Sequence, residues 1–103
     1  MTRLEWTDPA VPDLENIQDY LARESPEYAD SVIERLILSV ERLKSFPESG
    51  RVVPEASDLK VRELSLSTYR IMYRLRKGQV QLLAVVHSAR NLVGMSPKPW
   101  DAA

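Results

Sequence analysis

A chain of 103 residues, 44% apolar and 28% charged, is one globular domain's worth of sequence, long enough to bury roughly two-thirds of its unfolded surface. No apolar run approaches the ~18–20 residues of a membrane span, MTRLEWTDPA lacks the apolar stretch of an export signal, and the absence of cysteine excludes disulfides, thiolate metal sites and cysteine nucleophiles, so a cytoplasmic protein with no membrane partner is expected. The net charge of −1 hides a division: residues 1–50 carry eleven acidic and five basic side chains, and residues 51–90 carry eight basic and three acidic ones, which points to an anionic partner for the second part.

In chain order, Leu4 and Trp6 alternate with polar neighbours in a short strand within residues 1–6. Thr7 and Asp8 offer cap oxygens ahead of Pro9, and Ala10, Leu14, Ile17 and Leu21 then follow at helical spacing. Ser25 and Pro26 supply the cap and first position of a second helix. Its apolar face runs from Ala29 through Val32, Leu36 and Val40 to Leu43, and it should stop before Pro47. The brief connection makes residues 8–46 a helical hairpin.

Beyond Gly50 the pattern turns extended, and an antiparallel sheet is expected over residues 59–88. Val61 to Leu66 is one strand, and two longer ones flank a Lys77-Gly78 turn. Strict alternation places Tyr69, Ile71, Tyr73 and Leu75 on one face with Val80, Leu82, Ala84 and Val86. The other face collects Arg70, Met72, Arg74 and Arg76 with Gln79, Gln81, Leu83, Val85 and His87. The first face can be a core; the second is a basic platform that is costly to bury without anions. Arg51 and the pair Arg62-Glu63 suggest an internal ion pair pinning the sheet edge. Residues 91–103 form an irregular tail anchored by Trp100. The expected architecture is α+β: an N-terminal strand and a helical hairpin packed on one face of a three- to four-stranded antiparallel sheet, with 1–103 a single domain.

The order LEWTDPAVPDLENIQDYLARESPEYA, FPESGR, VRELSLSTYRIMYRL and VQLLAVVHSAR, from Leu4 to about Leu92, resembles the ParE/RelE superfamily of bacterial toxins. The resemblance implies the toxin of a type II toxin–antitoxin, or plasmid stabilisation, pair, with a cognate antitoxin as its partner. Two activities occur in that superfamily. RelE-like members are ribosome-dependent nucleases that cut mRNA; ParE-like members inhibit DNA gyrase by direct binding.

Cleavage chemistry separates them. The 2′-hydroxyl must lose a proton, the phosphate needs cations, and the leaving oxygen needs an acid. By position in the motif Arg70 and Arg90 match arginines of the RelE-like nucleases, and His87 is the remaining acid or base. Where those enzymes place lysines, however, this chain has Val61 and Glu63, and their C-terminal tyrosine has no counterpart among Val93, Gly94 and Met95. An unfinished nuclease site on a near-neutral chain favours a ParE-like gyrase inhibitor rather than an enzyme. The alternative is a RelE-like mRNA nuclease using Arg70, His87 and Arg90 as catalytic residues; a second is a non-toxic, antitoxin-binding regulator of its own operon. Under each reading Arg62, Arg70, Arg74, His87 and Arg90 are expected to hold the antitoxin or another anion. One histidine and scattered carboxylates make no metal site, and no cofactor is expected.

Overall fold

The computed structural model describes residues 2–102. It contains strand β1 (Arg3–Trp6), helices α1 (Ala10–Ala22) and α2 (Pro26–Glu41), and strands β2 (Arg51–Val52), β3 (Val61–Leu66), β4 (Tyr69–Arg76) and β5 (Gln79–His87). Short 3-10 turns cover Arg42–Lys44, Pro54–Ala56 and Pro99–Ala102. The helical hairpin lies on one face of the sheet, as its amphipathic stripes require.

Ser25 caps α2 by accepting the Tyr28 N–H, with Pro26 opening the first turn. The expected side-chain cap on α1 does not form, because the Thr7 hydroxyl donates instead to the Leu82 carbonyl at 2.6 Å. That bond, with Thr7 N–H on the same oxygen, ties the start of α1 to β5.

The sheet has five strands in the order β1-β5-β4-β3-β2. It is mixed, since β1 runs parallel to β5 with Arg3 opposite Gln79 and Trp6 opposite Leu82. The expectation of three or four antiparallel strands missed that pairing and the two-residue β2. Gly78 takes φ +70° at the β4–β5 turn, a conformation that glycine adopts without strain.

One irregularity changes the faces. Met72 pairs with Ala84 and Tyr73 with Leu82, so Leu83 is an extra residue in β5, a β-bulge. Before the bulge Val80 and Leu82 face the helices as expected; beyond it Val85 does, and Ala84 and Val86 turn to the opposite face. The expected assignments of Ala84, Val85, Val86 and His87 are therefore reversed. Two apolar clusters result. The larger joins Val32, Leu36 and Val40 of α2 to Ile71, Tyr73 and Leu82. The smaller lies on the far face, where Val53, Met72, Leu83 and Val86 pack under Leu92, Met95 and Trp100 of the tail.

Candidate functional site

The arginine face is neither bare nor open. β4 sends Arg70 and Arg74 to the far side of the sheet, and a strap starting at Pro54 lays one carboxylate on each. Arg70 donates Nη1 and Nη2 to the two Glu55 oxygens at 3.0 and 2.9 Å, and its Nε to Glu63. Glu63 is 1% exposed and its second oxygen accepts from Arg51, so it lies between two guanidinium groups. Arg74 donates to Asp58 at 2.9 Å and to the Trp100 carbonyl at 3.0 Å.

The charges answer one another. The Arg70 bond holds the Glu55 carboxyl below the ordinary carboxylate range, and Arg70 in turn is held more firmly protonated, chiefly by Glu55. Asp58 is lowered first by the Lys60 N–H and then by Arg74. Buried charge is tolerated here because each has an opposite, although the Nε of Arg74 is buried without a hydrogen bond. The internal ion pair at the sheet edge is Arg51–Glu63. Arg62 faces the other way and donates to the Glu48 and Gly50 carbonyls, beside Tyr73, whose hydroxyl accepts the Gly50 N–H and donates to the Pro47 carbonyl.

His87 is elsewhere. It pairs with Tyr69 across the strands, and the two rings meet edge to face at 5.9 Å, so His87 is on the helix side of the sheet. With Arg90 it lines a crevice of about 480 Å³ between α1 and the end of β5. Its Nδ1 accepts the Ala89 N–H, which places the imidazole proton on Nε2. Asp13 of α1 closes the crevice by accepting the Val85 N–H, and burial pushes its carboxyl up.

The five residues expected to bind an anion are thus dispersed. Arg70 and Arg74 share a face, Arg70 held by carboxylates and Arg74 by Asp58 and the Trp100 carbonyl with its Nε unpartnered. Arg62 gives Nη1 to backbone carbonyls. His87 and Arg90 line one crevice on the helix side, and Arg90 also borders the far-face hollow beside Leu83 and Val86. Sequence reasoning missed Glu55, Asp58 and Asp13. The only local signal was a pair of acids three apart after Pro54, which does not name its partners.

The family model described as "ParE toxin of type II toxin-antitoxin system, parDE" matches residues 4–92. The toxin RelE2 of Caulobacter vibrioides is 33% identical over 91 residues, covering 87% of this chain and 99% of that relative. Among solved structures, the chromosomal ParDE toxin–antitoxin system of P. aeruginosa superposes with a TM-score of 0.71 at 27% identity, over 84% of this chain and 96% of that one. A chain of the RelBE2 toxin–antitoxin complex of Mycobacterium tuberculosis shares the fold, with a TM-score of 0.55 at 21% identity over 86% and 93% of the two chains. The chain therefore belongs to the ParE toxin family of type II toxin–antitoxin systems, within the ParE/RelE superfamily.

Proposed function

We propose that this chain is a ParE-like toxin that inhibits DNA gyrase by direct binding and is neutralised by a cognate antitoxin. The observation that carries this reading is the closure of Arg70 between Glu55 and Glu63. A nuclease needs that guanidinium for the scissile phosphate. Here each of its three nitrogens already donates to one of the chain's own carboxylates, and a phosphate brought close would meet Glu55 and Glu63 as like charges.

Acid–base chemistry is separated from it as well. Tyr69 and its cross-strand partner His87 face the helices, whereas Arg70, next along β4, faces away. A general acid or base must lie within hydrogen-bond reach of the reacting groups. With the sheet between His87 and Arg70, no single substrate pose satisfies both. A surface whose charges are internally paired suits recognition of a protein rather than turnover of RNA. An antitoxin partner is supported by likeness to the P. aeruginosa ParDE system.

A RelE-like nuclease remains the second reading, favoured by one observation: His87 and Arg90 line the same crevice, so a base and a cation are already neighbours. Expression of the toxin without antitoxin separates the two. DNA-damage signalling with translation continuing supports gyrase inhibition. Immediate arrest of translation with cuts in ribosome-bound mRNA overturns it.

A further inference from the structure

We propose that the crevice between α1 and the end of β5 is a binding site for a small oxyanion, a carboxylate or phosphate ester, carried on an apolar or aromatic body. This inference uses none of the residues of the Arg70 cluster and does not rest on gyrase being the target.

The geometry carries it. Tyr69 is 9% exposed, yet its hydroxyl makes no hydrogen bond among the described residues; it is not sealed in either, since the crevice reaches it. The phenolic groups of Tyr20 and Tyr28, at the hairpin end of the helices, lie close enough to bear on it and, after burial, help push its hydroxyl pKa up.

Asn16 and Thr68, which can donate or accept, also line the crevice, and two further donors stand beside them. The tautomer of His87 leaves Nε2 as a donor with no acceptor among the described residues, and the Arg90 guanidinium likewise forms no hydrogen bond there. The one carboxylate in the wall, Asp13, accepts the Val85 N–H through one oxygen and feels the Arg90 charge. His87 and Arg90 are exposed and can exchange water for a ligand. Three donors lining one concavity, one of them a permanent cation, favour a ligand that supplies acceptors, and an oxyanion supplies the most in the least volume. The walls call for the rest of it. Ile17, Leu21 and Val85 are apolar, and Tyr20, 66% exposed, stands as a plate on which a ring can stack. A volume of about 480 Å³ is that of a small-molecule site.

The test is an NMR titration of the whole purified chain with phenyl phosphate, phenylacetate and inorganic phosphate, following the ring resonances of His87 and Tyr69. Saturable shifts are expected with at least one aromatic probe, at a Kd of about 1 mM or tighter. Inorganic phosphate, which lacks the apolar body, should bind at least tenfold more weakly. Preference for phenyl phosphate assigns the site to phosphate esters, and preference for phenylacetate to carboxylates. Tyr69→Phe, which removes only the hydroxyl, and Arg90→Gln, at an exposed position, should each weaken binding about tenfold. Absence of saturable shifts with both aromatic probes overturns the proposal. Affinity unchanged in both variants overturns it equally.

Discussion

Replacing Glu63 by glutamine tests whether the arginine cluster is an internal structural element. Glu63 is 1% exposed and accepts from Arg51 and Arg70 at 2.5 Å each. Glutamine keeps the shape but can offer an acceptor to only one guanidinium, and it turns an amide N–H toward the other. Each charge-assisted bond contributes about 1.5–3 kcal/mol, and breaking a buried pair by removing one partner costs about 3–5 kcal/mol. Because Arg51 is largely exposed and can rehydrate, the lower end applies, about 3 kcal/mol. For a domain of this size, that is a fall in Tm of about 12–24 °C. Urea unfolding followed by circular dichroism reads the same loss at constant slope. Glu55→Gln is the comparison: its side chain is 32% exposed, so its loss should be about 1 kcal/mol or less. A Glu63→Gln loss below about 1 kcal/mol, or one smaller than that of Glu55→Gln, would mean that water already solvates the cluster. The guanidinium of Arg70 would then be available for a phosphate, and the case against the nuclease reading would fall.

Tyr73→Phe should cost about 1–3 kcal/mol in urea unfolding, since its hydroxyl serves both the buried Gly50 N–H and the Pro47 carbonyl; a neutral result would mean that water replaces it. Gly50→Ala should be more damaging still, because the added methyl would lie 2.5 Å from the Glu63 carbonyl and the Tyr73 hydroxyl; a folded variant of unchanged Tm would contradict that packing. Glu55 has its folded pKa depressed, so its contribution is fully present above its unfolded value, near 4.5, and is lost as pH falls through the folded one. The urea midpoint should accordingly drop on acidification below that value, more steeply in the wild type than in Glu55→Gln, and coincident acid limbs would refute the pairing.

The helical hairpin was legible because its signals are local: Ser25-Pro26 at a cap, and apolar residues at helical spacing through Val32, Leu36 and Val40. The core face of β4 was legible for the same reason, since Tyr69, Ile71, Tyr73 and Leu75 alternate with Arg70, Met72, Arg74 and Arg76. β5 was harder. From Leu82 to Val86 every residue is apolar, so alternation carries no contrast, and nothing in the sequence marks the bulge at Leu83 that turns His87 toward the helices. The parallel pairing of β1 and the Glu55–Arg70 contact were invisible for another reason. Both join segments far apart in the chain, and neither partner carries a local sign of the other. The arginine row was expected to need anions from a partner; Glu55 and Asp58, which pair with Arg70 and Arg74 from within the chain, were not foreseen.

The central claim, a toxin that works by binding gyrase rather than by cutting RNA, is tested most directly with purified components. The toxin is titrated into a gyrase supercoiling reaction and, in parallel, into translating ribosomes whose mRNA is read by primer extension. The account predicts loss of supercoiling as toxin approaches the gyrase concentration, relieved by the cognate antitoxin, with full-length mRNA throughout. Discrete cuts in ribosome-bound mRNA with supercoiling unaffected would contradict it.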